Sequence, residues 1–118
     1  MRQLWTTVNV QQTDNGERFA LDYYVLAKEV GIEGQRALRY GVEIYKRGTR
    51  PDGTPYAAYR KIFDVFSTEQ EAREVLSLMA RNTVTPITMQ DILEDMLGIR
   101  EFAWEARSED SQEVIQSA

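Results

Sequence analysis

Five cations, Lys46, Arg47, Arg50, Arg60 and Lys61, surround a Pro51-Asp52-Gly53 turn and alternate with Tyr45, Tyr56 and Tyr59. Clustered ammonium and guanidinium groups are what a phosphate backbone requires, and rings between them would stack single-stranded bases. Tyr and Arg are also the residue types enriched where proteins dock on proteins. A third use is simpler: a hairpin whose charges keep a sheet edge soluble. The chain as a whole is acidic, with a net charge of −5, and it offers no basic recognition helix, which argues against nucleic acid. Docking of another protein through Tyr45, Arg47, Arg50, Tyr56, Tyr59 and Arg60 is the expected use.

A second cluster, Asp91, Glu94 and Asp95, falls within about one helical turn and could hold a hard cation or work as paired acid and base. Its members lie opposite an apolar stripe, so a solvated helix face is expected instead. The chain has neither histidine nor cysteine. That removes triads, thiol nucleophiles and the usual zinc sites, leaving carboxylates, Lys, Tyr and Ser as the only groups for catalysis. Phosphate-loop, dinucleotide-binding, zincin and EF-hand spacings are absent as well. No enzyme activity, metal or cofactor is expected.

Charge is distributed unevenly. Residues 36–62 carry seven cations against Glu43 and Asp52, whereas residues 64–118 carry twelve acids against Arg73, Arg81, Arg100 and Arg107. Such polarity orients a charged partner during encounter.

The elements that position these groups follow from hydrophobic period. "LWTTVNV" places Leu4, Thr6, Val8 and Val10 on one face, and Asn15-Gly16 signals a hairpin into "RFALDYYVLAKEV". A turn through Gly31 and Gly34 leads to "ALRYGVEIYKR", with Leu38, Tyr40, Val42 and Ile44 on one side. The Pro51-Asp52-Gly53 turn then leads to "YAAYRKIFDVF". After Phe66 the period changes to about 3.6. Ser67 or Thr68 caps a helix with the stripe Ala72, Val75, Leu76 and Met79. Thr88 as N-cap, Asp91 three residues on, and Ile87 stapled to Ile92 predict a second helix from Met89. Its buried face would be Met89, Ile92, Leu93, Met96 and Leu97, with Gly98 ending it. "REFAWEA" adds a short turn packing Phe102 and Trp104.

The expected fold is therefore α+β: a four-stranded antiparallel meander with two C-terminal helices packed on one face. Tyr24, Leu26, Arg39, Glu43 and Tyr45 fall on the uncovered side. With 118 residues, of which 42% are hydrophobic and 28% charged, one domain over 1–105 is expected, followed by a disordered acidic tail over 106–118. The absence of a signal-like or membrane-length apolar run, together with the lack of cysteine, points to a cytoplasmic protein, monomer or homodimer.

The stretches "YYVLAKEV", "YGVEIYK", "FSTEQEAREVLSLMARNTVTP" and above all "ITMQDILEDML" resemble a family of small uncharacterised proteins from clostridial bacteria, catalogued only as a domain of unknown function. The resemblance spans roughly residues 19–97. It implies no activity and assigns no residue. A second class of function fits small size and acidity: a phage- or defence-related inhibitor of anti-CRISPR type, using its acidic helical half as a nucleic-acid mimic. Reversal of Glu94, Asp95 and Glu101 would separate the two.

Overall fold

The alternating segments form four long strands, β1 (Arg2–Gln11), β2 (Arg18–Ile32), β3 (Gln35–Thr49) and β4 (Pro55–Phe66), each paired antiparallel with the next. The computed structural model describes residues 1–11, 17–98, 104–107 and 114–117. β2 and β3 pair throughout, from Arg18↔Thr49 to Ile32↔Gln35. Glu33 and Gly34 close them at φ 51° and 79°, as a two-residue hairpin turn requires; Gly31 stays within β2. The Asn15-Gly16 hairpin signal lies outside the described residues, although the strands on either side do pair antiparallel. β1 reaches only as far as Ala27 and β4 only as far as Tyr40. Residues 28–39 therefore continue as a two-stranded ribbon beyond both neighbours, in a molecule 53 Å long.

Two irregularities shape the sheet. Leu4 pairs with Tyr24 but Thr6 with Tyr23, so Trp5 is the extra residue of a bulge. The bulge breaks the expected alternation: Leu4 leaves the face of Thr6, Val8 and Val10, and the Trp5 indole reaches the first helix, donating to Ser77 Oγ at 3.0 Å. The second lies between Tyr40 and Val42. A Cβ on the intervening Gly41 would sit 1.9 Å from the Ile62 carbonyl oxygen, so only glycine permits this approach.

Helix α1 (Glu69–Arg81) starts at Thr68, whose Oγ1 accepts from the Glu71 amide at 3.2 Å, the expected cap. Ala72, Leu76 and Met79 face the sheet. Helix α2 (Pro86–Leu97) begins three residues earlier than predicted, with Thr85 as N-cap and Pro86 in the first turn. Proline without an N–H is favoured there, and Thr88, inside the helix, donates to the Thr85 carbonyl instead of capping. The helix buries Pro86, Met89, Leu93 and Glu94, a face turned from the expected one so that Glu94 comes in and Ile92 and Met96 go out. Ile87, Ile92 and Met96 are exposed, so the predicted staple does not form. Gly98, at φ 69°, ends the helix as expected.

The sheet continues past the four expected strands. After α2, β5 (Trp104–Arg107) pairs with β4, and β6 (Val114–Ser117) pairs with β5. The helices are thus inserted between strands instead of ending the chain. Ala106, Arg107 and Val114–Ser117 of the expected tail are strand residues. Phe102 lies outside the described residues, and Trp104 is buried in β5, not in a turn. A four-residue strand is too short to show a period.

Both helices cover one face of the sheet, where Leu21, Tyr23, Val25, Val42, Ile44 and Ile62 meet Leu76, Met79, Met89 and Leu93. Each such side chain contributes about 1.5–3 kcal/mol on burial. The Tyr23 hydroxyl donates to the Val84 carbonyl at 2.8 Å, and burial pushes its pKa up to about 12.

Candidate functional site

Strand parity divides the six residues expected to form a docking surface. Tyr23, Ile44, Arg60 and Ala106 share a row on the helix-covered side. Tyr56 belongs to the same side, and its ring is 9% exposed. Tyr45, Arg47 and Tyr59 stand on the open side, while Arg50 lies at the loop, its guanidinium 5.1 Å from the Tyr56 ring.

Arg60 and Tyr56 are engaged in holding the fold. Arg60 Nε donates to the Pro86 carbonyl at 3.0 Å and its Nη1 donates to Gln90 Oε1. Gln90 Nε2 and Trp104 Nε1 then donate to Glu94 Oε2 at 3.3 and 3.1 Å. This chain of groups ties β4, α2 and β5 together. Glu94 is consequently buried, against the expectation of a solvated acidic face, while Asp91 and Asp95 are exposed. Burial lowers the Arg60 pKa, opposed by the charges of Asp91 and Glu94. At the other end of the covered face, Lys46 is buried with its Nζ 4.3 Å from the Phe19 ring and 5.4 Å from the Tyr56 ring. The Tyr56 hydroxyl donates to Glu17. Gly48 makes room for that ring, since a Cβ there would come within 2.6 Å of it.

The open side is a layer of rings and paired charges. Tyr45 and Tyr59, directly paired across β3 and β4, stack with ring centroids 6.4 Å apart and planes 7° from parallel. The Arg2 guanidinium lies 3.6 Å over Tyr24 and 5.8 Å from Tyr45, while Nε donates to Glu43 Oε1 at 2.8 Å. Lys61 Nζ is 5.4 Å from Tyr59 and 5.8 Å from Phe63, and 3.1 Å from Glu105. Arg47 makes a fork to Asp22, Nε to Oδ2 at 2.8 Å and Nη2 to Oδ1 at 3.2 Å, and Thr7 Oγ1 donates to the same Oδ1 at 2.8 Å. Burial pushes the Asp22 carboxyl up, but the hydrogen bonds from Arg47 and Thr7 outweigh it and leave the pKa lowered. The hydrogen bond to Glu43 raises the Arg2 pKa in turn.

Arg2, Tyr24 and Lys61 were not among the expected site residues. Alternation already places Tyr24 beside Tyr45 on the uncovered face, but Arg2 reaches them only through the long-range register Arg2↔Leu26. The face offers flat aromatic area ringed by ordered charges, suited to recognition. Among the described residues, no group of three His, Cys, Asp or Glu side chains is placed to hold a metal ion, and no helix is long and apolar enough to cross a membrane.

An antiparallel sheet with two helices on one face and a polar-aromatic layer on the other defines an α+β domain. The chain belongs to the family of unknown function DUF6514, whose model matches residues 1–98. The match takes in β1 through α2 to the Gly98 cap, starting earlier than the stretch over which the resemblance is seen in sequence. No curated protein and no solved structure matches the chain.

Proposed function

We propose that the protein is a non-catalytic binding module of the cytoplasm that docks another protein on its open sheet face, centred on Tyr45, Arg47 and Tyr59. The carrying observation is the parallel Tyr45–Tyr59 stack, half-buried and flanked by Arg2 and Lys61. Rings held this way lose little rotamer freedom on docking, which favours affinity at a flat surface. The charges around them are already paired with Glu43, Asp22 and Glu105. Nucleic acid would gain little there, because its affinity depends on cations free to replace condensed counterions. A protein that presents a flat apolar centre with a polar rim of mixed charge fits better.

Crosslinking capture from lysate of the source organism tests this reading. The triple variant Tyr45→Ala/Arg47→Glu/Tyr59→Ala is expected to lose one specific protein partner that wild type retains. Arg60 is left intact because its bonds to α2 are structural. The inhibitor reading uses the opposite side, where Glu71, Glu74, Asp91 and Asp95 are exposed; Glu94 is buried and Glu101 lies outside the described residues. A partner lost only on charge reversal of those four exposed acids would overturn the sheet-face reading and favour the mimic.

A further inference from the structure

The outer edge of β1 is unpaired and, from Thr6 to Gln11 beyond the Trp5 bulge, regular. Met1 and Ala27 exchange both backbone bonds, at 2.8 and 2.9 Å. Antiparallel ladders alternate between bonded and non-bonded pairs. From that anchor, and across the Trp5 bulge, Thr6, Val8 and Val10 bond inward to β2. Thr7, Asn9 and Gln11 therefore turn both N–H and C=O outward. Among the described residues no backbone group pairs with them, and β1 is the terminal strand of the sheet. Natural edges are usually guarded by lysine, proline, an inward charge or a bulge. Residues 6–11, "TTVNVQ", beyond the Trp5 bulge, contain none of these.

We infer that β1 pairs antiparallel with β1 of a second copy about a two-fold axis at Asn9. The regular stretch Thr6–Gln11 is self-complementary in that register: Asn9 opposes Asn9, Thr7 opposes Gln11 and Val8 opposes Val10. Each outward donor then meets an outward acceptor. The Val8 and Val10 side chains meet as β-branched pairs on the helix side, and the amides of Asn9 meet on the open side. The matching of Val8 with Val10 and of Asn9 with itself points to a second copy, and charge does not oppose it. The chain carries −5 overall, yet within Thr6–Gln11 no charged residue opposes another, so the paired stretch itself brings no like-charge repulsion. An axis normal to the sheet keeps both open faces on the same side, placing two Tyr45–Tyr59 stacks on one continuous surface.

Sedimentation equilibrium and circular dichroism test the dimer. Asn9→Pro removes an N–H that β2 does not use, and proline is tolerated at such edge positions; Asn9→Lys adds a guard charge without altering the backbone. Wild type is expected to be a dimer, and both variants to weaken association at least about tenfold while retaining the wild-type spectrum. If Asn9→Pro perturbs the fold, Asn9→Lys decides. Nitroxide on Asn9→Cys, the sole thiol in such a chain, reads the register through strong dipolar broadening. A wild type that is monomeric at about 1 mM, a dimer that survives Asn9→Lys, or a dimer without broadening would overturn the inference.

Discussion

Cations occupy both faces of the sheet, but the two faces use them differently. On the helix-covered face Lys46 is buried against the Phe19 and Tyr56 rings, and half-buried Arg60 reaches out of the sheet to the Pro86 carbonyl and Gln90 of α2. On the open face Arg2, Arg47 and Lys61 lie along the sheet, bonding within the layer to Glu43, Asp22 and Glu105. A buried donor has no water to return to when its partner is removed, whereas an exposed one does. Residue type alone therefore does not separate cations that tie the sheet to the helices from those that lie along the open face; the side of the sheet does.

Paired substitutions on the two faces sharpen this contrast. The largest loss is expected for Arg60→Ala, which leaves the Pro86 carbonyl and the Gln90–Glu94 pair short of a donor: about 2–3 kcal/mol in urea unfolding. A loss below about 0.5 kcal/mol would place Arg60 with the open-face cations. Tyr23→Phe comes next, at about 1–1.5 kcal/mol, through its bond to Val84. It carries a signature in pH. The folded phenol titrates at about 12, against about 10 unfolded. The folded state holds the proton more tightly, so this contribution is full below pH 10 and is lost as pH rises from 10 through 12. Tyr23→Phe should show a shallower alkaline fall than wild type; equal slopes would exclude Tyr23 as its source.

The strands β2, β3 and β4, the Thr68 cap and the Gly98 stop were legible because each rests on a local pattern: alternation, a capping hydroxyl, a glycine at positive φ. What escaped the sequence reading depends on distant partners. Arg60 reads as a surface cation until the Ile44↔Arg60 register places it under α2. Glu94 reads as solvated until β5, pairing beside β4, brings the Trp104 indole to its carboxylate. Leu4 changes face because one bulge residue reverses everything on its N-terminal side. Of the expected site, Tyr45, Arg47 and Tyr59 share a surface because β3 and β4 have the same parity there. Tyr56 and Arg60 could have been separated from them by carrying that parity across β4 from Tyr59.

The smallest effect belongs to the open face and tests the contrast most closely. Arg47→Ala should cost about 1 kcal/mol or less at pH 7, because the guanidinium is 56% exposed and its pairing is screened by water. The sign with pH is defined by Asp22. Its folded pKa lies below the ordinary value, so its contribution is full above about pH 4 and is lost as pH falls through the folded value. Removing the exposed Arg47 side chain opens the Asp22 carboxylate to water, which stands in for the guanidinium while Thr7 still donates, and protonation of Asp22 removes the charge that Arg47 had paired. The gap between wild type and variant should therefore close as pH drops below about 4, whereas a gap of constant size would mean that Arg47 acts through packing against the sheet and not through the Asp22 charge.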